Sequence, residues 1–187
     1  MRLFETGRWP AIWDKADLDR ALQGIVEAGP EFEAKFFQQG ELRGGFACQG
    51  DIVEFRSMLP LISEDGEIVA ADEYEHWMVL GNTCDMDRDE VEHSTIVPLE
   101  VIQPAPTEDK LLILRSYAFY RQFYVPPWRD DEQQAHRMAM FVNPVTIEKK
   151  AFRDDCARIV ARLEFGAWAL LHLCLVRYLA RDDGRHD

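Results

Sequence analysis

The densest run of residues able to do chemistry is Gly81-Asn82-Thr83-Cys84-Asp85-Met86-Asp87-Arg88-Asp89-Glu90-Val91-Glu92-His93. A thiol near a carboxylate and an imidazole is the set used in acyl transfer and thiol chemistry. Cys84 would attack as the thiolate, His93 or His76 would take its proton, and Asp85 would orient the ring. The neighbouring carboxylates oppose this, since they raise rather than lower a thiol pKa, and no oxyanion donors can be read from the chain. The favoured reading is a solvated hairpin loop in which Asn82, Thr83 and Asp85 satisfy the turn's own backbone.

A metal would recruit Cys84, His93, His76 and the acids, but no paired-ligand spacing for zinc is present. Asp85, Asp87 and Asp89 match the opening of a calcium loop. Glu90 then stands where that loop needs glycine, and Ile96 where it needs its final glutamate. No glycine-rich phosphate loop, dinucleotide fingerprint, G-x-S-x-G elbow or H-E-x-x-H occurs. The expectation is no metal and no cofactor.

A second cluster interleaves Tyr117, Tyr120, Phe123, Tyr124 and Trp128 with Arg115, Arg121 and Arg129. Such a set can stack bases and contact phosphate. Ordinary strand propensity with arginine stems lying over aromatic rings gives the same residues and is preferred. Asn82, Thr83, Arg121, Tyr124 and Arg129 are the candidate ligand- or partner-binding residues. His136 and His172 read as a loop residue and a satisfied helix residue.

The charge narrows the partners. The net charge of -13 is concentrated in residues 51–110, which hold sixteen acids against three bases. That field repels a phosphate backbone and disfavours nucleic acid. Hydrophobic residues at 47% and charged residues at 29% are ordinary for a globular chain of 187 residues, which is long enough to bury a core as one domain. Cys48, Cys84, Cys156 and Cys174 are widely spaced without a C-x-x-C pair, and the first residues lack the apolar stretch of a secretory signal. Reduced thiols in a cytoplasm are expected. Residues 165–176 are uncharged but too short to span a bilayer, so they read as a buried helix, and no membrane partner is expected.

The elements that must position these residues give an α+β single domain, 1–187. Residues 15–28 and 31–38 have helical spacing around the Gly29-Pro30 stop and form an N-terminal helical lid, 1–44, packing through Trp9, Trp13, Phe32 and Phe36. Short strands are expected at 50–55, 76–81, 95–102 (with Pro98 at an edge or bulge), 111–114, 119–125 and 138–142, with a turn at Asp65-Gly66. Their spacing predicts a small β-barrel core over 45–147. A long C-terminal helix, 148–182, capped by Thr146 or Asp154, is apolar nearly all round. Phe165, Trp168, Leu171 and Leu175 should bury two faces, clamped by the lid or paired in a homodimer.

The strands Gly50-Asp51-Ile52-Val53, Trp77-Met78-Val79-Leu80 and Ile96-Val97-Pro98-Leu99 resemble the framework of the MazF/PemK family over residues 49–102. The resemblance implies an SH3-like barrel and, for members that cleave RNA, metal-independent chemistry by polar and basic side chains beside a basic groove. Here that region is strongly acidic, and Gly81-Asn82-Thr83-Cys84-Asp85 fills the turn where such enzymes continue differently. No catalytic residue is therefore carried over, and Cys84, Asp85 and His93 stay the only catalytic candidates. The leading expectation is a non-catalytic binding protein whose acidic barrel face engages a protein partner or a second copy of itself. The alternative is a divergent MazF/PemK-like endoribonuclease of a toxin-antitoxin type, with residues 115–129 supplying the RNA contacts.

Overall fold

The computed structural model describes residues 20, 23–24, 27–29, 31–40, 42, 46–56, 60–62, 68–70, 74–153 and 156–179. Trp9, Trp13, the Asp65-Gly66 turn and the tail from residue 180 lie outside them. The fold is mixed α+β, and the chain divides into two compact units.

One unit comprises Gln38–Glu100 and Asn143–Arg162. Its antiparallel strands are β1 (Ile52–Phe55), β4 (Trp77–Val79), β5 (His93–Val101), β8 (Val145–Glu148) and β9 (Ala157–Ala161). They pair in the order β8-β5-β4-β1-β9, an open path among the described residues. A separate antiparallel pair is formed by β2 (Pro60–Ile62) and β3 (Ile68–Ala70). β1 sets Ile52 opposite Met78 and Val53 opposite Trp77, and all four side chains are buried. Ala47, Val53, Trp77, Val79, Met86, Ile96 and Ile147 make the core of this unit. Pro98 sits opposite Trp77, and the next amide, Leu99 N–H, donates to His76 C=O at 2.9 Å. The proline nitrogen therefore faces away from β4.

The C-terminal helix expected from residue 148 begins only at Phe165. β8, a 3₁₀ turn at Lys149–Phe152 and β9 occupy the start of the expected span. The β-branched runs Val145-Thr146-Ile147 and Ile159-Val160 carry the strand preference. In β8 the buried Ile147 stands between exposed Thr146 and Glu148, a period of two that the search for a 3.6 repeat passed over. Thr146 is thus a strand residue and not a helix cap.

The other unit comprises Met1–Phe37, Val101–Val142 and Leu163–Asp187. Helical backbone is described at residues 20, 23–24, 27–29 and 31–33, and Gly29 takes the left-handed φ of 45° at the expected stop. The strand expected at 111–114 is a helix, which together with the four-residue helix α1 (Thr83–Met86) of the first unit gives the numbering α2 (Glu108–Arg115). The Thr107 hydroxyl accepts from Lys110 N–H at 3.4 Å, Glu108 and Asp109 lie in the first turn, and Arg115 lies in the last, so cap and dipole agree. Leu111 and Leu114 are buried three positions apart while Leu112 and Ile113 face out. A run of four apolar residues fits either period, and the cap decides it.

β6 (Gln122–Val125) and β7 (Arg137–Met140) form an antiparallel pair in this unit. Phe123 lies between Phe36, Tyr117 and Phe141, at ring separations of 6.0, 5.3 and 6.5 Å. Helix α3 (Phe165–Leu179) starts where Trp168 N–H donates to Glu164 C=O. Ala167, Leu170, Leu171 and Cys174 are buried, whereas Phe165 is 56% exposed and Trp168 is half-buried. Ala169 and Leu173 are buried as well, on a side of the axis turned away from Ala167, so burial extends over more than one face, while Phe165 and Trp168 are not fully covered. Among the described residues no helix is long and apolar enough to cross a membrane.

Candidate functional site

The polar loop after β4 folds as one helical turn. Asn82 caps α1, its Oδ1 accepting from Cys84 N–H at 2.8 Å. The Thr83 hydroxyl accepts from Gln49 N–H at 3.0 Å, and the Gln49 amide donates to Leu80 C=O at 2.8 Å. From the other side Lys149 Nζ donates to the carbonyls of Asp85 and Arg88, at 2.8 and 2.6 Å. Asn82 thus serves the loop's own backbone, while Thr83 ties the loop to the distant Gln49 amide, and the expected hairpin tip is a helical turn. Asp85 holds Arg88 at 3.2 Å, and His93 stands opposite Glu148 at the start of β5. Among the described residues no hydrogen bond joins Cys84, Asp85 and His93, and no three His, Cys, Asp or Glu side chains form a metal-sized group. Cys84 is exposed, while Asp87, Asp89, Glu90 and Glu92 line the loop with exposed carboxylates.

The aspartate of Gly50-Asp51-Ile52-Val53 is fully buried and meets Arg162 through two hydrogen bonds, Nε to Oδ1 at 2.8 Å and Nη2 to Oδ2 at 2.7 Å. Oδ2 also accepts from Cys48 N–H at 2.7 Å, and Arg162 Nη2 donates to Phe46 C=O at 3.1 Å. Burial pushes the Asp51 carboxyl up against the pull of Arg162 and the Cys48 amide. The hydrogen bonds that Arg162 donates to Asp51 in turn raise the guanidinium pKa. This pair is a brace within the sheet, with every carboxylate oxygen committed.

The second unit holds a network that the sequence did not disclose. Arg115 grips Glu33 with Nε and Nη2, at 2.6 and 2.8 Å, and the Tyr124 hydroxyl lies 2.8 Å from His136 Nδ1 with the two rings stacked at 5.9 Å. The charge of Glu33 also acts on Tyr124, so the two hydrogen-bonded pairs are electrostatic neighbours. Burial, reinforced by Glu33, drives the Tyr124 phenol well above its ordinary pKa. Burial lowers the imidazole of His136, and the hydrogen bond to Glu33 raises Arg115. Burial thus favours the neutral form of both the imidazole, held by Nδ1, and the phenol beside it. Arg115 and Tyr124 were visible as types, but Glu33 and His136 lie in distant segments and carried no spacing signal.

Tyr124 is buried, as are Tyr117, Phe123 and Trp128, so these four rings are core, whereas Tyr120 is exposed. Arg121 is exposed with its guanidinium 5.6 Å from the Tyr120 ring, and Arg129 is exposed in the turn before β7. That turn is organised by Asp131, which accepts from Gln133 N–H, Ala135 N–H and both Nη atoms of Arg137, the last two at 2.6 and 3.0 Å. Arg137 is fully buried with its guanidinium 4.3 Å from the Trp128 ring. Burial pushes the Asp131 carboxyl up, but the bonds from Arg137, Ala135 and Gln133 outweigh it and hold the group below the usual carboxylate range. No family model, curated protein or solved structure matches the chain.

Proposed function

We propose that this is a non-catalytic binding protein whose acidic loop, residues 83–92, engages a basic segment of a protein partner. The observation that carries the reading is the Lys149 contact. Its ammonium is spent on two backbone carbonyls, so it fixes the loop without lying on the carboxylates of Asp87, Asp89, Glu90 and Glu92. A held loop whose exposed charge is net negative, with Arg88 its single base, favours an oppositely charged partner and fast, salt-sensitive encounter. The buried charges elsewhere are paired with one another, as Asp51 with Arg162 and Asp131 with Arg137, and are occupied in support. The finer architecture we read as a small SH3-like barrel left open between β8 and β9.

The test is fluorescence anisotropy of a labelled lysine- and arginine-rich peptide titrated with the full chain at about 50 mM and about 500 mM salt. Binding should weaken at the higher salt and fall at least tenfold in the triple variant D87N/D89N/E90Q. Affinity unchanged by that variant would sink the reading. The endoribonuclease alternative separates in the same format with single-stranded RNA. Metal-independent cutting that is lost in R121A or R129A would replace the binding reading with it.

A further inference from the structure

The acidic loop is held only weakly by its own backbone. Beyond α1 the chain makes two successive turns, with Arg88 N–H donating to Asp85 C=O at 3.4 Å and Val91 N–H to Arg88 C=O at 3.2 Å. Both bonds lie at or beyond the long end of the amide range. Asp85, Asp87, Asp89, Glu90 and Glu92 also crowd like charges into the segment, which opposes a compact form. One distant residue takes up the same carbonyls. Lys149 Nζ donates to Asp85 C=O at 2.8 Å and to Arg88 C=O at 2.6 Å, and Lys149 N–H donates to Glu92 C=O at 2.9 Å. The beginning, middle and end of the loop are thus tied to a single residue, and the ammonium bonds are of the short, charge-assisted kind. Lys149 is itself well anchored, since it follows β8 and opens the 3₁₀ turn. Among the described residues it makes no ion pair: Arg88 takes Asp85 at 3.2 Å, and Lys150 takes Glu148.

We infer that Lys149 is a positioning residue for the acidic loop, setting how long a basic partner stays bound rather than how fast it arrives. This rests on the binding reading above and adds the group that fixes the geometry the partner meets. Charge and position make opposite demands on Lys149. Its ammonium subtracts from the negative field of the loop, so charge alone predicts that removing it speeds encounter and tightens binding to a basic segment. Position predicts the reverse for the bound state. A loop released from Lys149 has to be ordered again by the partner, and that ordering is taken from the affinity. The loss falls on dissociation, the rate in which variants of one interface differ most. Lys150 supplies the control: it is the next residue and carries the same charge, but its ammonium is spent on the Glu148 carboxylate.

The experiment follows binding and release of the labelled lysine- and arginine-rich peptide by stopped-flow anisotropy, using the full chain, K149M and K150M at one salt concentration. Association should be as fast as in the parent, or faster, in both variants. Dissociation should quicken about tenfold in K149M and keep the parent's rate in K150M. Hydrogen-deuterium exchange of the free chains gives a second reading, part of which needs no variant. In the parent the amides of Arg88 and Val91 should be protected, and in K149M that protection should be lost while β4 and β5 keep theirs. A peptide that does not bind the parent would remove the binding reading and this inference with it. A bound peptide that leaves K149M and K150M at the same rate would overturn this inference alone, as would Arg88 and Val91 amides that exchange in the parent as in an unfolded chain. Loss of protection at β4 and β5 in K149M would overturn it too, since Lys149 would then hold the sheet and not the loop.

Discussion

Asp51 and Arg162, 111 positions apart in the chain, share two nearly parallel hydrogen bonds of 2.8 and 2.7 Å. The pair ties the start of β1 to the residue after β9, and its remaining capacity is used on the Cys48 amide and the Phe46 carbonyl. Removing one partner leaves the other charge buried alone. D51A should therefore cost about 3–5 kcal/mol in chemical denaturation, and the double variant D51A/R162M should recover part of that loss. A D51A chain within about 1 kcal/mol of the parent would show that the pair is not a brace.

Gly81 and Ser94 give a second test. A Cβ at position 81 would fall 2.0 Å from Ser94 Oγ and 3.2 Å from Ser94 Cβ, and the serine hydroxyl is buried without a hydrogen-bond partner. G81A should destabilise by roughly 1–3 kcal/mol through overpacking. S94A alone should be neutral or stabilising, because it removes a desolvated group that gains nothing in return. In the double variant the cost of G81A should shrink, and strict additivity of the two changes would contradict the contact.

Stability should fall on acidification in two stages. His136 is held below its ordinary pKa by burial, so the folded state refuses a proton that the unfolded chain accepts below about pH 6.5. That loss begins as pH drops through the unfolded value and ends at the folded one. His172, also lowered by burial, adds to it. Asp131 is depressed, so its contribution is intact above the unfolded carboxylate value and disappears as pH falls through the lower folded value. Thermal midpoints measured from pH 7.5 to pH 5 should decline less steeply in H136N, which keeps a donor near the Nδ1 position. Identical slopes in parent and variant would assign the first stage elsewhere.

Alkylation should rank the thiols by environment. Cys84 is exposed, whereas burial pushes the Cys174 thiol up to about 12. Iodoacetamide at neutral pH should label Cys84 in the folded chain within the time that leaves Cys174 untouched, and denaturant should equalise them. Equal labelling without denaturant would mean that α3 does not bury Cys174 in solution.

What the sequence disclosed followed the strength of its periodic signals. Ile52-Val53, Trp77-Met78-Val79 and the run around Ile96 were read as strands because β-branched and aromatic residues there are bounded by polar punctuation. Residues 111–114 and 148–161 form other elements than expected because short apolar runs fit both periods. In the first case Thr107 and the charge order decided for helix, and in the second the pairing partners did. The role of Asn82 was legible, since its side chain acts on its own neighbour Cys84, whereas the Thr83 contact with Gln49 was not. Glu33 with Arg115, Tyr124 with His136 and Asp51 with Arg162 were not legible. Each pairing is made by folding rather than by spacing, and one sequence carries no trace of it.

The turn gathered around Asp131 has a consequence for motion. Gln134 sits at a φ of 45°, and its side-chain amide donates to the carbonyls of Trp128 and Asp131, at 3.1 and 2.7 Å, which offsets the cost of that backbone. To free the amides of Gln133 and Ala135, the carboxylate must let go of a guanidinium that has no water to replace it. A segment of this kind does not fray by itself: its opening costs as much as exposing Arg137. In hydrogen-deuterium exchange these two loop amides should keep their protons on the timescale of the adjoining strands, so that a stretch without regular secondary structure behaves as part of the slowest-opening body of its unit.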